Sequence, residues 1–196
     1  MRIISGIARG RKLFTPPQKD NSIRPTADRA REGLFNILAR RVESSQVLDL
    51  FAGTGALGLE ALSRGAKTAI FVDNSHLSLD IITKNISLFP IENQQTNQFI
   101  VIKDNLQRPN FLKKLPVDIS PQFDIIFADP PYEKDLSTSI LQFINDHQIL
   151  KPDGLLVIEE RYNITLPKKL PRLEQSDKRK YGEACFSFYQ AVDPVN

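Results

Sequence analysis

Residues 47–58 read VLDLFAGTGALG, and the fold hangs on how that stretch is divided. Val47, Leu48 and Leu50 flank a single acid, Asp49, in a short apolar run that ends at Phe51 and Ala52. A run of this length without apolar-polar alternation suits a strand buried on both faces of a parallel sheet. Gly53, Gly55 and Gly58 follow at G-x-G-x-x-G spacing, which permits a tight strand-to-helix turn and lets a ligand approach the backbone closely. Working outward, strands are expected near residues 47–52, 68–73, 99–103, 123–128 and 155–160, and helices near 56–64, 75–88, 106–114 and 136–147. That alternation marks βαβ units and hence an α/β fold with a parallel sheet. Past Pro167 the pattern changes to two strands, near 171–177 and 184–191, joined by the basic turn KRKYGE, which reads as an antiparallel hairpin at the sheet edge.

The second strand ends at Asp73, 20 positions after Gly53. An acid there can accept from both ribose hydroxyls of a nucleoside. The glycine spacing alone does not separate a dinucleotide site from a nucleoside site, but Asp49 helps to. Its carboxylate would repel a pyrophosphate and attract an ammonium or a sulfonium, which favours S-adenosylmethionine over NAD. After the third strand, the Asp104 carboxylate can accept from an adenine amino group and the backbone of Asn105 can meet the ring edge. Either residue can equally cap the helix expected from Leu106.

The fourth strand runs into an unusual exit. Residues 123–132 read FDIIFADPPY, placing Asp129 at a carboxyl strand end, the edge of an open α/β sheet where ligands bind. Pro130 and Pro131 make the exit stiff and non-helical and offer no N–H. The stretch therefore presents acceptors, the Asp129 carboxylate and nearby carbonyls, beside the flat ring of Tyr132. That arrangement suits an exocyclic NH₂ on a base, held in plane by hydrogen bonds and stacked by the ring. The amine lone pair is delocalised and nucleophilically poor, so a carboxylate that stabilises positive charge developing on nitrogen assists methyl transfer. A strand-terminating turn is the alternative.

The chain has 196 residues, 41% hydrophobic and 25% charged, enough for one well-buried globular domain. No apolar stretch reaches the roughly 18 residues of a membrane span, and the opening MRIISGIARGRK lacks the apolar core of a secretion signal. A cytoplasmic protein with no membrane partner is expected. The single cysteine, Cys185, can form no internal disulfide and has no companions for a metal site, so it reads as a small core residue. Net charge is +3, but residues 1–41 hold ten Lys/Arg against three Asp/Glu, +7, which leaves −4 for the remainder. A basic arm on an acidic body points to a polyanion, with nucleic acid the leading candidate and a solvated basic surface the alternative. One soft boundary falls near residue 25, separating an arm or hairpin over 1–25 from a domain over 26–196. Thr26 reads as the N-cap of a helix over 27–40. His76 and His147 lie near helix ends and read as surface residues.

Taken together, DLFAGTGALG, the acid at Asp73 and DPPY resemble class I S-adenosylmethionine-dependent methyltransferases acting on exocyclic amines. IISGIARGRKL, RPTADRAREGLFNIL and KYGEACFSFYQ further resemble the RsmD family, guanine-N2 methyltransferases of small-subunit ribosomal RNA, across residues 3–190. The resemblance implies a Rossmann-like fold with a seven-stranded, mostly parallel sheet and a short N-terminal arm. It implies that S-adenosylmethionine is held by Asp49, Phe51, Gly53, Gly55, Gly58, Asp73, Asn74, Asp104 and Asn105, and the target amine by Asp129, Pro130, Pro131 and Tyr132. It also implies RNA contacts from Arg9, Arg11, Lys12, Arg24 and Arg29, with ribosomal RNA or the assembling small subunit as partner, no DNA, and a monomer. The family more often carries Glu at the place of Asp73, so the ribose contact is expected to be longer or bridged by water. DPPY also occurs in adenine-N6 methyltransferases, and a catalytically silent RNA-binding module on the same fold is the reading from another class.

Overall fold

The apolar runs form strands as expected, and their order across the sheet creates the crevice in which the site lies. In the computed structural model, which describes residues 1–16, 25–89, 98–131 and 136–193, five strands run parallel: β1 (Gln46–Leu50), β2 (Thr68–Asp73), β3 (Gln98–Lys103), β4 (Phe123–Ala128) and β5 (Leu150–Arg161). Two antiparallel strands, β6 (Leu173–Tyr181) and β7 (Ala184–Ala191), complete the sheet in the order β3-β2-β1-β4-β5-β7-β6. The helices are α1 (Pro25–Leu38), α2 (Ala56–Ser63), α3 (His76–Ile86) and α4 (Leu136–His147). Among the described residues no helix is long and apolar enough to cross a membrane.

Alternation along each strand sorts the core into two layers. Val47, Ile125, Phe127, Leu155 and Val157 pack with Leu34 and Phe35 of α1 and Leu59 and Leu62 of α2. Leu48, Leu50, Ile126, Leu156 and Ile158 pack on the other face with Ile140, Leu141 and Ile144 of α4. Cys185 is a buried core residue, and His76 and His147 are exposed helix ends.

Three expectations are revised. No α-helix spans 106–114; a single 3₁₀ turn, Phe111–Lys114, stands there. Pro109 interrupts the helical N–H series, and Asn105 Oδ1 and Asp104 Oδ2 take the backbone N–H groups of Gln107 (3.0 Å) and Asn110 (2.7 Å), fixing a loop instead. α1 begins at Pro25, whose fixed φ and missing N–H suit a first helical position, so Thr26 lies inside the first turn. The basic KRKY segment is strand: β6 continues to Tyr181, and the turn is only Gly182 and Glu183.

Residues 1–16 are fastened to α2. Arg2 and Lys12 form an antiparallel bridge, and Ile3, Ala8 and Leu13 are buried in the layer with α1. The Glu60 carboxylate, wholly buried, accepts from the backbone of Ile4 (2.7 Å) and Ser5 (3.0 Å) and from Arg64 Nε (2.7 Å). Beside it the buried Arg31 guanidinium stands 4.0 Å away. Gly6, at φ +83°, passes so near Ser63 that a Cβ would lie 1.7 Å from its carbonyl oxygen. Glu60→Ala strands two backbone donors, removes the partner of Arg64 and leaves the buried Arg31 with Asp28 alone, so it is expected to cost about 3–5 kcal/mol of stability in urea unfolding. Glu60→Gln, which keeps an acceptor for the arm, should cost clearly less.

Candidate active site

β1 ends at Leu50 and the chain turns at once. Phe51 (φ 59°), Gly53 (φ 56°) and Gly55 (φ 74°) all take left-handed backbone. That conformation is easy for glycine but costs a residue such as Phe of order 1–3 kcal/mol, a strain that gathers at functional sites. Gly58 is needed for space, since a Cβ there would lie 2.4 Å from the ring of Phe71 on β2. Two acids secure the loop. Asp49 Oδ2 accepts from Gly58 N–H at 2.9 Å, and Asp73 accepts from Gly53 N–H at 2.9 Å and Ser75 N–H at 2.8 Å. A carboxylate offers about four lone-pair positions, so Asp73 fastens the loop and keeps capacity for hydroxyl donors.

Beyond β3, the buried Asp104 takes Lys114 Nζ at 2.5 Å as well as Asn110 N–H. From β4, the backbone N–H of Asp129 reaches Leu50 O at 3.4 Å, so Asp129 leaves the sheet beside the glycine loop. Asp129 is accessible from the cleft but enclosed by its walls, Pro130 is buried and Pro131 exposed. Tyr132 lies outside the described residues.

One cleft of about 1280 Å³ joins these parts at the carboxyl ends of the strands. Asp49, Phe51, Gly53 and Asp73 line it, with Asn74, Asp104 and Asn105 further along and Asp129, Pro130 and Pro131 on the other side. Gly55 and Gly58 are buried beneath. The wall past Asp129 is built by Ala30 and Arg31 of α1, a stretch that the family resemblance also implies on the target side, and by Glu159 and Arg161 of β5 and Tyr181 of β6, which sequence reasoning missed. A Cβ on Gly33 would lie 2.5 Å from the Tyr181 hydroxyl, so the ring lies directly across α1, and it tilts against Phe186 at 5.6 Å. Of the basic residues, Arg9, Arg11, Lys12 and Arg29 are surface-exposed and stand outside these walls, Arg11 donating to the carbonyl of Leu88. Arg24 lies outside the described residues.

The cleft is acidic. Burial pushes the Asp49 carboxyl up to about 8, helped by the charges of Asp129 and Asp73 and opposed by the Gly58 N–H. Burial also raises Asp129, with a contribution from Glu160, and raises Glu159, with a contribution from Asp129. Such a field repels phosphate and welcomes a cation or a base edge rich in donors.

The chain is similar to known proteins over most of its length. Residues 1–190 match the family described as "Conserved hypothetical protein 95". The Ribosomal RNA small subunit methyltransferase D of Haemophilus influenzae is 36% identical over 81% of this chain and 78% of its own. The protein of the same name from Escherichia coli K12 is 33% identical over 97% of this chain and 89% of its own. The solved structure of the yhhF protein of Escherichia coli shares the fold with TM-score 0.77 at 32% identity over 98% of both chains. A hypothetical protein of Thermus thermophilus does so with TM-score 0.72 at 26% identity over 97% of this chain and 99% of its own.

The raised Asp49 carboxyl has a thermodynamic signature. Between its unfolded value of 3.8 and its folded value of about 8, the folded state binds more protons, so stability falls as pH rises through that window and levels off above it. Asp49→Asn keeps the acceptor for Gly58 and cannot ionise. Its stability relative to the unsubstituted protein should grow with pH by up to about 1.4 kcal/mol per unit across the window. Parallel pH profiles of the two proteins in chemical denaturation would overturn the assignment.

Proposed function

The chain belongs to the conserved hypothetical protein 95 family, whose relatives include ribosomal RNA small subunit methyltransferase D, and from that premise we propose that it methylates the exocyclic N2 amine of a guanine in small-subunit ribosomal RNA, using S-adenosylmethionine. The observation that carries this reading is the single cleft in which a glycine loop held by Asp49 and Asp73 faces Asp129-Pro130-Pro131. Its volume exceeds the roughly 300–1,000 Å³ of most small-molecule sites, which leaves room for a cofactor and a base together.

The residues present fit the cofactor. Asp49, a buried acid that gains most from a nearby cation, would hold its charged end. Asp73 would accept the ribose hydroxyls, and Asp104 and Asn105 would meet the adenine. When bound, S-adenosylmethionine would supply an electrophilic methyl group on a sulfonium, whose methyl–sulfur bond breaks as the methyl is transferred and whose sulfur leaves as a neutral thioether. Asp129 accepts a hydrogen bond from the target amine and keeps its nitrogen lone pair available, and the rigid prolines hold that carboxylate in one place. As the N–C bond forms, positive charge grows on the amine, and the Asp129 carboxylate stabilises it inside the walled cleft. The excess proton then leaves the nitrogen, and Asp129, whose burial-raised carboxyl makes it a better base than a free aspartate, is placed to take it. Tyr132 stacks on the base in this reading. A paired guanine cannot reach such a cleft, so the target is a loop nucleotide or one flipped out at a cost of a few kcal/mol.

The partner is ribosomal RNA or the assembling small subunit, met in the cytoplasm by a monomer, with duplex DNA left untouched. Arg9, Arg11, Lys12, Arg24 and Arg29 contact phosphates in this reading, while the acidic cleft receives the base.

Incubation with methyl-labelled cofactor and small-subunit RNA, followed by digestion to nucleosides and mass spectrometry, tests the assignment. N2-methylguanosine is expected; N6-methyladenosine as the sole product would overturn the substrate. Asp129→Ala should hold cofactor affinity within a few-fold while lowering turnover by roughly 10²-fold or more, because its charge acts mainly in the transition state. Replacing Arg9, Arg11 and Lys12 with Ala should weaken RNA binding and flatten the log–log salt slope by about 0.7–0.9 for each phosphate no longer neutralised. An unchanged slope would make the cluster solvated surface.

A further inference from the structure

Two strand ends, not one, deliver an acid to the target side of the cleft. β4 and β5 are paired in parallel with Phe127 opposite Val157 and Ala128 opposite Ile158. Phe127 and Val157 face the layer that contains α1, and Ala128 and Ile158 face the other. Asp129, the residue just past β4, and Glu159, on β5, are therefore the next along on the α1 side, on chains about 4.8 Å apart in the pairing direction. Both line the cleft. Glu160, one residue on, turns to the opposite face and is taken up by Ser137 Oγ and the Arg161 N–H. No hydrogen bond or ion pair among the described residues engages the Glu159 carboxylate. Across the sheet Glu159 is opposite Phe186, which tilts against Tyr181 and forms the apolar margin of the same wall.

Two carboxylates brought side by side cost stability, and the charge of Asp129 raises the affinity of Glu159 for a proton. What relieves the pair is a ligand edge with two adjacent N–H donors. Among bases with an exocyclic amine, guanine alone provides one, since its N1 carries a proton beside the N2 amine. The ring nitrogen next to the amine of adenine or cytosine is an acceptor, which a carboxylate would repel. We infer that Glu159 is the specificity-determining residue of the target pocket, its carboxylate accepting from guanine N1–H while Asp129 accepts from the N2 amine. This rests on the proposed methylation of guanine and explains why that base is chosen rather than how the methyl group moves.

The test compares two RNAs that differ only at the accepting nucleotide, once it has been mapped by nucleoside analysis: guanine, and 2-aminopurine, which keeps the 2-amine but has an acceptor at N1. The unsubstituted protein should favour guanine in kcat/KM by about 10²-fold or more, because a site built to hydrogen-bond a substrate N–H strongly rejects an analogue lacking it. Glu159→Gln, of the same shape but able to donate, should lose activity on guanine and retain or gain it on 2-aminopurine, collapsing the ratio to within a few-fold. An equal loss on both RNAs would reduce Glu159 to a structural role and overturn the inference. So would equal use of both RNAs by the unsubstituted protein, a comparison that needs no variant to fold. Failure of the unsubstituted protein to form N2-methylguanosine at all would instead overturn the functional reading, and this inference with it.

Discussion

The pairing of β1 with β4 is the constraint on which the site depends. Leu50 stands opposite Ala128, so the glycine loop and Asp129 leave the sheet side by side. The chain builds β1, β2 and β3 outward in one direction and then returns to place β4 on the other side of β1. At that reversal the connections diverge to either side and leave a crevice that they do not cover. The register is fixed by burial on both faces: a slip of one residue would move Phe127 and Ile126 into each other's layers and swing Asp129 away from α1.

The second feature is a division of charge. The first 41 residues carry +7 and the remainder −4, and the acids of the remainder include the converging Asp49, Asp73, Asp129 and Glu159. Packing carboxylates together in a half-enclosed cleft contradicts what stability alone would select, and such local conflicts mark functional sites. On the proposed reading the arrangement separates two tasks. Phosphates are attracted to the arm and repelled from the cleft, so a base and a cationic cofactor enter while the RNA backbone stays outside.

Elements with strong local signals were legible in the sequence. VLDL, TAIFVD and FDIIFA are apolar without alternation because they are buried on both faces, and the turn after β1 announces itself by glycines that prove necessary for left-handed backbone and for contact with Phe71. The loop after β3 misled because its helix-like spacing gives way to Asp104 and Asn105, whose side chains capture backbone N–H groups. β6 was cut short because an edge strand has few buried positions, and KRKY carries a solvent-facing composition. Glu159 was invisible for a different reason. Its strand was evident, but strand order is a long-range property, and only the neighbourhood of β4 and β5 turns the acid pair of VIEE into a partner for Asp129.

The contact of Tyr181 with Gly33 joins the beginning of the chain to its end. During synthesis, α1 leaves the ribosome early, yet the wall it shares with Glu159 and Tyr181 cannot close until β6 has emerged and paired. A chain interrupted between β5 and β6 would still carry the glycine loop, Asp129 and the five parallel strands, but its target pocket would lack one side. On the proposed reading, competence to select a base is therefore acquired late, and a prematurely ended polypeptide is an incomplete reader of RNA.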